Sequence, residues 1–599
     1  MSITDHDPIP VLIIGAGPCG LLLAYMLAKL GVQSLVIERY PTRLAAPKAH
    51  ALSPRSLELC RQFGLDVNAI REMGSPRPDA MWVNFVTDLS GQLVGRLPYE
   101  RMDKGVLDDT PAMIHNIPQP DFEALVGREL EGGRVEVRKG HSFVRLQEFP
   151  GYVEATVEDR AAGREYTVKC AHLVGCDGAK SVVRRALGIE CEGEDSYETM
   201  MTIHINADLR PVLGDRVGML HWIMDPDVAG FIIGYDLSGN QVLICNFDAE
   251  KHPVDSWDEI LCRKTVDAAI GTKVEYDVLS YRPWILSRKV AKEYRKGRVL
   301  LAGDAAHSFP PTGGLGLNSG LGDAHNLAYK LAAVHHGWAS DKLLDTYESD
   351  RRQVAVVNSE QSVKNGKEIF NLLKTLGTTD ADTSVARQNL YRNIEDPETI
   401  QQINQGIEGQ REHFDNLGLH IGYVYGDRRI PENASIYRAA CVPGARLPHA
   451  WIRLLRPEKM PLPPIDSSYV AELSVDEVQA RQFSTLDLCP FDGFTVWVNQ
   501  KTSAYWHQAI EEKQQLPTGI RDRLRIQTVV HGVDFEVQAG ESGEKWVQLM
   551  GLEDQAIVVR PDQHILGCVR YPGGSEQLWR LLRAHLGWDE AIPTWSSTE

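Results

Sequence analysis

The stretch VLIIGAGPCGLLLAYMLAKLGVQSLVIER, residues 11–39, decides the fold. It opens on a mostly apolar run, so three readings compete: a membrane anchor, a signal peptide, or the first strand, helix and second strand of a nucleotide-binding unit. A membrane span needs about twenty uninterrupted apolar residues, and Gly15, Gly17, Pro18 and Gly20 break this run. A secretory signal needs a basic start and a small-residue cleavage site, whereas Asp5, Asp7, Pro8 and Pro10 precede Val11. The third reading fits throughout. Val11 to Ile14 reads as a short buried strand, Leu21 to Leu30 as a helix ended by Gly31, and Ser34 to Ile37 as a second strand closing on Glu38. Between them stands G-x-G-x-x-G. Gly15 permits the tight turn, Gly17 lets a pyrophosphate approach the backbone, and Gly20 lets helix and strand pack closely. The helix N-terminus offers free N–H groups to phosphate, and Glu38 can accept hydrogen bonds from a ribose. The motif predicts dinucleotide binding without choosing between NAD and FAD.

The whole chain bounds the answer further. Its 599 residues exceed one core, and about 150 residues per domain is the usual scale. Hydrophobic residues at 43% and charged residues at 24% are those of a soluble globular protein. A formal net charge of -18 argues against nucleic acid as a partner, because phosphate backbones attract basic surfaces. The ten cysteines include no C-x-x-C and no metal-ligand spacing, so buried free thiols in a reducing, cytoplasmic setting are expected. No other segment is long and apolar enough to span a membrane, and no phosphate-binding G-x-x-x-x-G-K-[ST] occurs.

Two later motifs narrow the cofactor. HLVGCDGAKSVVRRALGI, residues 172–189, carries a strand end, the turn Asp177-Gly178 and a helix with Arg184 and Arg185. GRVLLAGDAAHSFPPTGGLGLNSGLGDAHNLAYKLA, residues 297–332, carries a strand, Gly303-Asp304, a Pro-Gly loop and a helix from about Asn318. An aspartate just beyond a strand's C-terminal end is placed to bind hydroxyls.

The three motifs, in this order and at these separations, resemble the group A single-component FAD aromatic hydroxylases, in particular the phenol hydroxylase branch of the p-hydroxybenzoate hydroxylase family. The specific part covers residues from about 10 to 350. The resemblance implies FAD as cofactor, with Gly15, Gly17, Pro18, Gly20 and Glu38 at its AMP half. Arg39 and Lys48 match basic contacts, and Gln119 matches a glutamine that touches FAD from the start of a helix. Asp177 matches the aspartate linked to FAD and the passing nicotinamide nucleotide, and Asp304 the aspartate that holds ribityl or ribose hydroxyls. Pro311, Gly314, Gly316, Leu317 and Asn318 match the loop facing the isoalloxazine ring.

The chemistry so implied is monooxygenation: NADPH or NADH reduces FAD, and O2 adds to give a C4a-hydroperoxyflavin. That species hydroxylates a phenolic ring ortho or para to its hydroxyl. Oxidative decarboxylation, dearomatisation, Baeyer–Villiger insertion and a non-catalytic flavin-binding role remain open on the same motifs. A base that deprotonates the phenol would raise ring nucleophilicity. His50, in PKAHALSPRSLELC, is the first candidate, with an ordinary pKa near 6.5. Tyr235 and Tyr281, on expected strands, are second.

The fold class expected is α/β: a Rossmann-like FAD-binding domain with an inserted substrate sheet, plus a C-terminal thioredoxin-like domain. Residues 1–430 form the first, with the sheet at about 75–115 and 190–290 and a helical excursion over 340–430. Residues from about 371 to 425 read as polar surface and linker. Residues 431–599 form the second; CVPGARLPHAW and DGFTVWVN carry the resemblance there. Without a C-x-x-C, a packing or homodimer-interface role is expected for it. The expected partners are a small phenolic substrate and O2, with no nucleic acid and no membrane.

Overall fold

The computed structural model describes residues 8–43, 47–133, 135–247, 252–427, 429, 431–459, 462–512 and 516–588, the side chains of 195–198 excepted. Asp5 and Asp7 lie outside them. The chain is a mixed α/β fold of three large sheets. In the first, Ile9–Ile14 lies centrally between Arg164–Gly175 and Ser34–Glu38, all parallel. Val299–Leu301 and Val135–Lys139 extend the parallel set on either side. Both faces are covered, which is why Val11, Leu12, Ile13, Val36, Val174 and Leu300 form continuous apolar runs rather than alternating ones. The helices Pro18–Lys29 and Leu315–His335 pack on this sheet. The chain leaves the central strand in opposite directions on its two sides, so a crevice opens at the strands' C-terminal ends. Gly15, Glu38, Cys176-Asp177 and Gly303-Asp304 all stand at that edge.

The second sheet has eight strands, with Val278–Ala291, Cys191–Ile205, Asn240–Asn246 and Gly230–Asp236 side by side. Along Met200 to Ile205 the side chains alternate between two cores. Met201, Ile203 and Ile205 pack outward with Val266 and Ile270 of the helix Glu259–Ile270. Met200 packs inward with Trp222, Tyr235 and Ile244. The region 383–421 departs from its polar reading. Leu390, Ile403, Ile407 and Phe414 are buried in that same inner core, so these helices wall the space under the sheet.

The third sheet, of seven strands, lies in the C-terminal third and is closed by the helix Ser575–Leu586. The turn of its last hairpin, residues 560–564, is buried in the N-terminal part of the chain. Arg560 bonds Asp350 at 2.8 Å and Asp562 at 2.5 Å, while Lys330 Nζ donates to Asp350 at 2.7 Å. Arg55 reaches Gln563 Oε1 at 2.6 Å and the Asp562 carbonyl at 2.7 Å. A charged turn survives burial here because every formal charge meets an opposite partner.

Candidate active site

The crevice is made largely of backbone. Gly15 holds φ +109°, and a Cβ there would lie 2.4 Å from the Cys176 carbonyl oxygen. A Cβ on Gly20 would lie 2.1 Å from the Gly15 oxygen. Gly17 differs: a Cβ would meet nothing within 4 Å, so its missing side chain leaves an open cradle at the helix N-terminus. Pro18 begins that helix, where its lost N–H has no intrahelical role. This arrangement suits a pyrophosphate. Glu38 accepts the Ala16 and Tyr40 amides, each at 2.9 Å, one on each carboxylate oxygen. Arg39 is exposed with its guanidinium 5.0 Å from the Tyr40 ring centre.

On the far side, Asp304 opens onto the crevice although protein surrounds it closely. Poor solvation holds its carboxyl above the usual range, an effect that His307 and Lys48 only partly offset. Its turn is anchored from beneath by Asp323, which is 0% exposed. Asp323 accepts the Gly303 amide at 3.0 Å, His307 Nε2 at 2.6 Å and Arg351 Nε at 2.8 Å. Burial alone would raise Asp323, but His307 and Arg351 outweigh it and hold the carboxyl below its usual value.

Asp177 is committed locally. Its oxygens accept the Ser181 hydroxyl at 2.5 Å and the Val182 and Val183 amides at 2.7 and 3.1 Å, capping a short helix. Arg184 is buried and donates to the Ala305 and Ala179 carbonyls at 2.5 and 2.9 Å, tying the Asp177 loop to the Asp304 loop. Arg185 is exposed.

The Pro311–Gly314 loop closes through a Gly314 amide to Pro311 carbonyl bond of 3.0 Å, with Gly314 at φ +63°. The following helix starts at Leu315, earlier than the sequence suggests, so Gly316, Leu317 and Asn318 form its first turn. Asn318 is a clamp rather than an open ligand. Its amide donates to the Ala51 and Gly314 carbonyls, both at 2.9 Å, and its oxygen accepts the Ser53 amide at 2.8 Å. From the other side the Ile117 and Gln119 amides bond the His50 and Ala49 carbonyls at 2.8 and 2.9 Å. The peptide carrying His50 is therefore fixed on both flanks. The Gln119 side chain donates to Glu123 at 2.7 Å, and Arg43 also pairs with Glu123.

His50 meets two side chains of the second sheet's inner side. Its Nε2 lies 3.3 Å from the Tyr99 hydroxyl, and its ring meets Tyr235 edge-on at 5.5 Å. The imidazole is half-buried, and poor solvation pulls its pKa down to about 4. It is neutral at pH 7. Burial raises the Tyr99 and Tyr235 phenols, keeping both protonated.

Tyr281 does not join them. It pairs with Ile203, whose side chain faces outward, and it is 41% exposed. Its neighbour Arg282 pairs with Thr202 and takes the inner face instead. The Arg282 charge reaches Tyr235, Lys48 and His204. Lys48 is lowered by burial and then by Arg282 and Arg43, with Asp304 and Glu123 pulling the other way. Its charge partners thus span the crevice and the His50 side. Behind Tyr99, Glu100 and Arg101 hold φ of +51° and +48°, conformations that concentrate at functional sites. Sequence reasoning misses Tyr99, Arg282 and Asp323; strand register and tertiary packing select them, and neither leaves a local signal. Among the described residues no cluster of His, Cys, Asp and Glu could hold a metal.

The FAD binding domain family matches residues 8–362. The 2,4-dichlorophenol 6-monooxygenase of Cupriavidus pinatubonensis is 27% identical over 583 residues, covering 93% of this chain and 92% of that protein. The tetracenomycin B2 monooxygenase-dioxygenase of Streptomyces olivaceus is 33% identical over 372 residues, 60% of this chain and 69% of that one. The solved structure of the flavin-dependent monooxygenase PieE in complex with FAD and substrate superposes with a TM-score of 0.84 at 25% identity, over 98% of this chain and 100% of that one.

Proposed function

This chain belongs to the FAD binding domain family and is a flavoprotein monooxygenase, and from that premise we propose that it hydroxylates a phenolic ring ortho or para to the hydroxyl, with O2 and NADPH or NADH as co-substrates. The convergence of His50, Tyr99, Tyr235 and Arg282 beside the crevice carries this reading. FAD, when bound, supplies reduction by the nicotinamide nucleotide and activation of dioxygen.

The crevice residues fit that cofactor. Gly15, Gly17, Pro18 and Gly20 would cradle its pyrophosphate, Glu38 would accept from its adenosine ribose, and Arg39 and Lys48 would offset its phosphate charge. Gln119 and Asp304 would bind its hydroxyls. Pro311, Gly314 and the first-turn amides of Gly316 and Leu317 would hold the ring system, with the helix dipole favouring negative charge there. Asp177 acts through the loop it caps, and Asn318 through the His50 peptide it holds.

His50 accepts the phenolic proton on the nitrogen turned away from Tyr99, whose hydroxyl reorients to match the tautomer. A base near pKa 4 is too weak to take a phenol's proton unaided. Arg282 supplies part of the driving force, because its positive charge stabilises the phenolate. Trp222 Nε1 and His413 Nδ1, buried and without a hydrogen-bond partner among the described residues, are suited to further polar groups on the substrate.

In the C-terminal unit, Gly493–Asn499 and Arg525–His531 run parallel, and Gln555–Val559 and Ile565–Arg570 follow antiparallel beside them. That order supports a thioredoxin-like fold used for packing. The exposed row Leu279, Tyr281 and Ile285 on one strand supports a homodimer, and ten free cysteines support a cytoplasmic setting.

The decisive experiment follows NAD(P)H oxidation by the purified yellow protein across simple phenols, phenolic acids and polycyclic phenols, with product mass. Phenol-stimulated oxidation and a product heavier by one oxygen atom are expected. If no phenol stimulates oxidation, or all the electrons appear as hydrogen peroxide, the reading fails.

A further inference from the structure

Two cysteines, far apart in sequence, face each other where the connecting segment meets the last hairpin. Cys441 Sγ lies 3.9 Å from Cys568 Sγ. Both are half-buried, with Cys568 on the strand Ile565–Arg570. The backbones that carry them are already joined. The Gly444 amide donates to the Ile565 carbonyl, the Ile565 amide to the Ala445 carbonyl and the Leu447 amide to the Gln563 carbonyl, each at 2.8 Å. Forming an S–S bond of about 2.05 Å then asks the sulfurs to close from 3.9 Å, between two segments joined a few residues away.

We propose that Cys441 and Cys568 are an oxidation site, a dithiol that hydrogen peroxide converts to an intrachain disulfide. The Cys568 thiolate attacks the O–O bond, takes one oxygen as a sulfenic acid and releases hydroxide. The Cys441 thiolate then attacks that sulfur and displaces the second hydroxide. The two protons lost by the thiols convert both hydroxides to water, so two thiols lose two electrons to one peroxide. The order of attack follows the asymmetry of the pair: contact with Cys441 lowers the Cys568 thiol, while the same contact and burial raise Cys441. Peroxide is also the by-product of a flavoprotein monooxygenase turning over without a ring to oxidise, but added peroxide serves equally. The inference therefore stands apart from the proposed substrate.

Other thiols are less suited. Cys60, Cys170, Cys245, Cys262 and Cys489 are buried. Cys19, beside Cys176, donates to the Gly320 carbonyl at 3.1 Å beneath the glycine turn. The bond would enclose most of the third sheet in one covalent loop. It would also fix the segment leading to Arg446, whose guanidinium bonds Glu58 at 2.6 Å.

The test treats the full-length flavin-loaded protein with hydrogen peroxide, alkylates the remaining thiols and maps peptides without reduction. We expect a cross-linked peptide joining Cys441 and Cys568, loss of two alkylable thiols, reversal by dithiothreitol and slower amide exchange at 444–447. In Cys441→Ser the link disappears and Cys568 carries added oxygen. Both cysteines remaining alkylable, or Cys568 passing to sulfinic acid unlinked in the wild type, would overturn the proposal. So would a link between Cys19 and Cys176 in place of this one.

Discussion

The crevice and the side-chain cluster beside it are built in opposite ways. The crevice is lined by backbone at the ends of adjacent parallel strands, and its side chains, Glu38 and Asp304, sit at or just beyond a strand's C-terminal end. The cluster is made of side chains from residues 50, 99, 235 and 282, brought together by a peptide clamp and by the register of one sheet. Backbone recognition serves a common cofactor and tolerates little change in shape. Side-chain recognition sets what reacts, and it can change without disturbing the cofactor below.

The contrast breaks most visibly at Gly20. Gly20→Val drives a Cβ into the Gly15 carbonyl, so we expect protein without flavin, read from the absorbance of the purified fraction; a full flavin complement would show that the turn yields. His50→Asn tests the other side. Flavin content stays normal, while the rate of oxygen transfer measured by stopped flow falls by about 10²–10⁴-fold, the range for a lost general base. The sign of its pH dependence follows from the depressed value. The neutral imidazole is present above about pH 4 and is lost as pH falls through it. The wild-type rate therefore shows no limb near 6.5 from this group, and a limb there that vanishes in His50→Asn would reveal a well-solvated imidazole. The smallest contrast separates adjacent residues on one strand. Arg282→Met lowers turnover by about tenfold, from roughly 1.4 kcal/mol of lost phenolate stabilisation, whereas Tyr281→Phe leaves turnover unchanged. Equal effects from the two would show that the strand is out of the observed register.

The same contrast explains what could be read from the sequence. Gly15, Gly17, Gly20, Glu38 and Asp304 are legible because each acts through local backbone geometry, so strand, turn and helix signals announce them together. His50 is legible only through family resemblance. The choice between Tyr281 and Arg282 depends on pairing with Ile203 and Thr202. The partner strand also carries a register break between Glu194 and Glu198, so alternation within the sequence cannot supply the face. The helices over 383–421 look like polar surface because only one side of each is buried, at Leu390, Ile403 and Ile407. Asn318 reads as a cofactor ligand until its amide is found to be occupied by Ala51, Ser53 and Gly314.

The buried turn at 560–564 has a consequence for dissection. Cutting the chain ahead of the third sheet would not free an independent catalytic half. It would leave Arg55, Lys330 and Asp350 facing water across a surface shaped to exclude it, with Arg560 and Asp562 gone. The pairs Arg560–Asp350 and Arg61–Asp487 would be severed together. Grafting a relative's tail onto this body would require exchanging both sides of the ionic lock together.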